Sequence, residues 1–198
     1  MSILENYLRA LAAFDRVAAD VPADRWDTTS ACAEWSNRDV LGHVTWGQDQ
    51  VRHLATGAPF TSRAGAAGAP EPGVLVRGAD PVPIWRAARD TNLAALTSDA
   101  LARVVEPAGF GTVPLAVFVE AMTLDTLAHT WDIGSRVGVP VRFEADLVEA
   151  VLGFALAGLS DPRARVGFAD PVEPAPGADG QERLLAFLGR KVVSAWPG

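Results

Sequence analysis

With 198 residues, 49% of them hydrophobic, the chain is long enough to bury a core without covalent staples. A net charge of −7, with Lys191 as its one lysine, excludes a nucleic-acid footprint, and the one cysteine, Cys32, excludes an internal disulfide and any CxxC zinc framework. No charge-free apolar run reaches the roughly 20 residues that cross a bilayer, and the acidic first turns of MSILENYLRALAAFDRV lack a signal-peptide pattern, so a cytoplasmic protein without a membrane partner is expected.

The spacing of Leu4, Leu8, Leu11, Phe14 and Val17 predicts an amphipathic helix over 2–20, opened by Ser2 with Glu5 three residues later and ended by Pro22. A polar linker, ADRWDTTSACAEW (23–35), leads to a second start at Ser36, with Asp39 three residues on. The helix expected over 37–56 turns Val40, Val44, Val51 and Leu54 inward. Residues 57–83 are rich in Gly, Ala and Pro and show no sustained period, which predicts a long loop able to cover a pocket mouth. A third helix is expected over 83–96 and an extended break over 103–113. The longest helix follows over 114–137, with proline in its first turn and Gly138 as a left-handed stop. A fifth helical run over 146–159 closes at Ser160-Asp161-Pro162, a short strand is expected at 166–169, and a last helix spans 182–188. Five to six helices with short strands and no repeat predict an all-α bundle over 1–140, with a C-terminal helical extension, 141–198, packed on the same domain.

Chemistry is expected where histidine and carboxylate share a helix face. His129 follows Asp125 by four residues, which puts both side chains one turn apart on the face that carries Phe118, Met122 and Ile133. A carboxylate on an inward face is costly unless it is hydrogen-bonded, paired or bound to a metal. An Asp–His hydrogen bond and a pair of metal ligands therefore both satisfy the pattern. His43, in the middle of the second helix at the edge of its apolar stripe, supplies a third ligand if that helix faces the pair. Two imidazoles and a carboxylate leave one coordination position open, as in catalytic rather than structural sites. His53 lies about 80° further round the helix at roughly 100° per residue and reads as a surface histidine. Cys32 is read as a structural cysteine, with a thiolate ligand or nucleophile as the alternative. Asp132, one turn past His129, either steers a ligand from behind or forms a salt bridge, with Arg38 as a candidate partner. Trp46 and Gln50, three and seven residues after His43, are candidate cofactor-contacting positions over the metal; the other five tryptophans are assigned to packing.

The segments WDTTSACAEWSNRDVLGHV (26–44), GFGTVPLAVFVEAM (109–122), LDTLAHTWDIGSRVG (124–138) and ADGQERLLAFLGRKV (178–192) resemble the DinB-like, mycothiol-dependent maleylpyruvate isomerase superfamily. The resemblance implies an antiparallel four-helix bundle that holds a divalent metal through His43, Asp125 and His129. The isomerase branch often carries Glu where this chain has the shorter Asp125.

The function so implied is a metal-dependent enzyme that presents a low-molecular-weight thiol, mycothiol in the resembling family, to a small electrophilic substrate for S-transfer or isomerisation. Two other readings fit the same residues. One is a non-catalytic metal or small-ligand binding protein. The other is a hydrolase or lyase of specialised biosynthesis, in which water takes the open position. Two histidines and a carboxylate suit zinc first, with nickel and iron(II) as alternatives.

Overall fold

A computed structural model describes residues 2–61, 71–78, 80–160 and 167–192. The first helix, α1 (Ile3–Ala19), starts where Ser2 accepts a hydrogen bond from the Glu5 amide at 3.2 Å, and it buries Tyr7, Leu11, Phe14 and Val17. The linker before the second helix is held to itself. The Asn37 and Arg38 amides donate to the Thr28 and Trp26 carbonyls, and the Asn37 side chain donates to the Arg25 carbonyl.

Ser36 and Asp39 form the reciprocal cap that opens α2 (Asn37–Thr56). Its buried face runs through Val40, Val44, Gln48, Val51 and Ala55. Leu54, expected inward, is half-buried, because four residues rather than three from Val51 complete the turn on that face.

The loop expected over 57–83 is more ordered than its composition suggests. Residues 62–70 and 79 lie outside the described residues, but Pro72–Val76 form a 3₁₀ turn seated on α2. The Gly73 amide donates to Asp39 Oδ1 at 3.0 Å, so the residue that caps α2 also anchors this turn. Periodicity could not reveal it, since a single turn has no period and its partner lies more than thirty residues away.

The third helix, α3 (Val82–Ala95), is followed by a short α4 (Ser98–Ala102) that the sequence reading missed. The extended break is a pair of two-residue strands, β1 (Val104–Val105) and β2 (Val113–Pro114), antiparallel with Val105 opposite Val113. Next comes α5 (Leu115–Val137), buried on most of its circumference and stopped by Gly138 at φ 79°. The helices α1, α2, α3 and α5 pack on one another as a four-helix bundle. Tyr7, Gln48 and Asn92 tie three of them together inside it. The Tyr7 hydroxyl donates to Gln48 Oε1 at 3.0 Å, and Asn92 Nδ2 donates to Gln48 Oε1 at 2.7 Å and to the Tyr7 oxygen at 3.0 Å.

Two compact units make up the chain, Met1–Val141 and Arg142–Gly198. The second contains α6 (Ala145–Gly158) and α7 (Gly180–Phe187), which contact each other. Of the strand expected at 166–169, residue 166 lies outside the described residues and 167–169 are not in a strand; Asp161 and Pro162 also lie outside them. The expected all-α class is what the structure shows, and among the described residues no helix is long and apolar enough to cross a membrane.

Two glycines of α2 should separate a steric requirement from helix propensity. A Cβ at Gly42 would collide with the Pro72 carbonyl oxygen and lie 2.8 Å from Gly73 Cα, whereas one at Gly47 would meet only Met122 Sδ at 3.5 Å. Gly42→Ala should therefore lose about 1–3 kcal/mol of stability from overpacking. Gly47→Ala should be neutral or gain roughly 0.5–1 kcal/mol from helix propensity. Urea unfolding of both variants checks this, and equal effects would contradict the packing described.

Candidate metal centre

The inward faces of α2 and α5 bring His43, Asp125 and His129 together, with one candidate ligand atom of each within 4.8 Å of the others. Asp125 Oδ1 stands 3.6 Å from His43 Nε2 and 3.4 Å from His129 Nε2. The two imidazole rings lie 5.1 Å apart, edge to face at 79°. Gly47, one turn beyond His43, faces Met122 of α5, whose Sδ would lie at an ordinary contact distance of 3.5 Å from a Cβ placed there.

The other nitrogen of His129 faces a second acid. Nδ1 lies 3.0 Å from Oδ2 of Asp132, whose side chain is fully buried. Asp132 touches His129, and Arg38 pairs with Asp27 at 2.7 Å and donates to the Val76 carbonyl.

Charge is concentrated around this cluster. Burial by itself pushes the Asp125 carboxyl up, but the adjacent His129 and His43 outweigh it and hold the group well below the usual carboxylate range. Burial likewise pushes His129 down, and Asp125 followed by Asp132 reverses this, raising it to about 9. Without a bound cation, the imidazole keeps a proton in the space between carboxylates.

A loop over the histidines completes the surroundings. Ser30 accepts and donates hydrogen bonds within residues 30–35, the Ala31 amide donates to the Asp132 carbonyl at 3.0 Å, and Glu34 takes a left-handed φ of 68°. The turn sets Trp35 beside both imidazoles, with ring centroids 5.0 Å from His43 and 6.0 Å from His129. It also brings Cys32, half-buried, to His129 and Asp132, so that these three too offer ligand atoms within 4.8 Å of one another. Trp35, expected only in packing, thus borders both imidazoles, and Cys32 gains neighbours that its flanking sequence does not supply. Only the fold juxtaposes residues nearly a hundred positions apart.

Trp46 is near the group, its ring 5.9 Å from that of His43, and its indole nitrogen is buried without a hydrogen-bond partner. Gln50 is half-buried two turns beyond His43, about 10 Å along the helix at a rise of 1.5 Å per residue. His53 stands apart: it stacks on Phe60 at 4.0 Å, its Nδ1 lies 2.6 Å from the Ala58 carbonyl, and it is half-buried rather than free on the surface.

Comparison with known proteins bears on this arrangement. The family model of the mycothiol maleylpyruvate isomerase N-terminal domain matches residues 7–134, more than half of the chain and all three clustered residues. An uncharacterized protein of Mycobacterium tuberculosis, found in strains CDC 1551 / Oshkosh and ATCC 25618 / H37Rv, is 29% identical over 97% of this chain and its own full length. The crystal structure of a mycothiol-dependent maleylpyruvate isomerase superposes with a TM-score of 0.57 at 16% identity, covering 79% of this chain and 69% of that one. A histidine-to-alanine mutant of the isomerase gives a TM-score of 0.51 over the same shares. At that identity the likeness is one of fold.

The electrostatics make a direct prediction for protein treated with a chelator. His129 should titrate near 9 by NMR, and Asp125→Asn should lower that value, because the neutral amide no longer favours the imidazolium while burial still opposes it. The raised value also means that the Asp125–His129 attraction stabilises the cation-free fold below the ordinary histidine range and is lost as pH rises through about 9. Titration of His129 near an ordinary 6.5 would contradict the arrangement.

Proposed function

The chain belongs to the DinB-like, mycothiol-dependent maleylpyruvate isomerase superfamily, and from that membership we propose that it is a thiol-dependent isomerase or S-transferase acting on a small electrophilic substrate. In this reading, mycothiol or a similar low-molecular-weight thiol is the partner, and one divalent cation sits among His43, Asp125 and His129.

The observation that carries the cation reading is a pair of distances. Hydrogen bonds between imidazole and carboxylate close to about 2.7–3.2 Å, whereas the contacts of Asp125 with the two histidines are 3.4 and 3.6 Å. Ligands about 2.0–2.2 Å from a tetrahedral zinc stand about 3.3–3.6 Å from one another. Hydrogen bonding alone would draw these groups closer, so the spacing favours ligand edges over an Asp–His pair. The donor set of two nitrogens and one carboxylate oxygen suits zinc first, and nickel or iron(II) remain compatible with it.

The chain's own residues do the rest. Asp125 offsets one positive charge, and the two imidazoles bind as neutral donors. Three protein ligands leave a direction free for a small molecule, and Asp125, the most exposed of the three at 18%, marks the side from which solvent reaches the group. Trp35 and Trp46 flank His43 with aromatic surface that limits water around it. A cation there supplies the Lewis acidity that ionises a thiol at neutral pH, where a free thiol with a pKa of about 8.5 is mostly protonated.

Elemental analysis of protein purified without a histidine tag should find about one divalent metal per chain, as one three-ligand centre requires. His43→Ala and His129→Ala should lose it, and Cys32→Ser should keep it. After cobalt(II) substitution, a low-molecular-weight thiol should produce a near-ultraviolet sulfur-to-metal charge-transfer band that Asp125→Ala abolishes. Turnover of an electrophile should require both metal and thiol. Metal binding with no thiol ligation and no metal-dependent turnover would instead favour a non-catalytic binding protein, and a metal-free Cys32→Ser variant would show that the ligands are wrongly assigned.

A further inference from the structure

His129 has an acid on each side of its ring: Asp125 lies four residues before it, and Asp132 three residues after it on the same face of α5. The two acids are not equivalent. Asp125 Oδ1 is 3.4 Å from Nε2 and is shared with His43, whereas Asp132 Oδ2 is 3.0 Å from Nδ1, a hydrogen-bond distance. Asp132 has no exposed surface. A fully buried carboxylate is expensive unless donors satisfy it, and an ionised one can only accept. The proton between Nδ1 and Oδ2 therefore belongs to the imidazole.

Tautomer choice follows from that hydrogen bond. A neutral imidazole carries one proton, and only the Nδ1–H form leaves a lone pair on Nε2, the nitrogen that faces Asp125 and His43. The backbone holds Asp132 in place as well, since its carbonyl accepts from the Ala31 amide of the loop that carries Trp35 against the same imidazole. Ring orientation is thus fixed on one edge by Asp132 and on its face by Trp35.

We propose that Asp132 is the positioning residue of the centre: it holds His129 as the Nδ1–H tautomer, with Nε2 turned toward His43 and Asp125 to receive the cation. The inference rests on the cation reading above and adds to it a specific role for a residue outside the three ligands. In this role Asp132 ligates nothing itself. Its effect passes through His129, so affinity and ring tautomer should report it before activity does.

The test uses Zn(II) alone with the full chain, Asp132→Ala and Asp132→Asn, each checked for helicity by circular dichroism. Zn(II) affinity by competition with a chromophoric chelator should fall about 10–100-fold in Asp132→Ala. It should fall less in Asp132→Asn, whose amide oxygen can still accept from Nδ1. Nitrogen-15 NMR of the Zn(II) protein should show His129 ligated through Nε2 and protonated at Nδ1. Without Zn(II), the wild type should show a slowly exchanging Nδ1 proton that Asp132→Ala loses. A folded Asp132→Ala with unchanged affinity, or ligation through Nδ1, would overturn the proposal. If the wild type binds no Zn(II), the cation reading falls with the proposed role; the Nδ1 proton then reports only whether Asp132 orients the ring.

Discussion

The close approach of α2 to α5 around Asp125 is the constraint on which the centre depends. Asp125 stands between two imidazoles that come from different helices, and an acid in that position gains from both only if the helices are held at the right separation. Several features keep them there. The Tyr7–Gln48–Asn92 network locks α1, α2 and α3 in register, and the capping residue Asp39 also anchors the turn at Pro72–Val76. At the far end of α2, Arg103 reaches back to the Ala55 carbonyl at 2.6 Å and ties the segment before α5 to that helix. Function and packing are therefore linked through helix spacing, and a change of an ångström there would alter the distances from His43 to Asp125 and His129.

Features with a local sequence signal were legible. The Ser36–Asp39 cap, the stop at Gly138 and the four-residue step from Asp125 to His129 each depend on neighbours within one or two turns. The place of His43 followed from its position on the apolar edge of α2, and the structure brings it to the pair. Features made by distant contacts were not legible. Cys32 meets His129 across ninety-seven residues, and Trp35 joins the imidazoles only because the 30–35 turn is tied to Asp132. The turn at Pro72–Val76 depends on two glycine backbones meeting, and α4 is too short to carry a helical period.

Fold and family carry different weight in the functional reading. The four-helix bundle is shared with a solved isomerase at low identity, which fixes architecture and leaves chemistry to the side chains. Here the carboxylate is an aspartate, one methylene shorter than a glutamate. From α5, Asp125 Oδ1 stands at similar distances, 3.6 and 3.4 Å, from the two imidazole nitrogens. The aromatic surroundings of His43 and the second acid behind His129 come from this chain's own packing, and they add to the three clustered side chains.

The most direct measurement is anomalous diffraction from crystals of the untagged protein, with data recorded on both sides of the absorption edge of the metal found in it. One anomalous peak per chain is expected, among His43 Nε2, His129 Nε2 and an Asp125 oxygen, at about 2.0–2.2 Å from each if the metal is zinc. A peak on the other side of the His129 ring, between Cys32 and Asp132, would contradict it, as would full-occupancy protein with no peak at all.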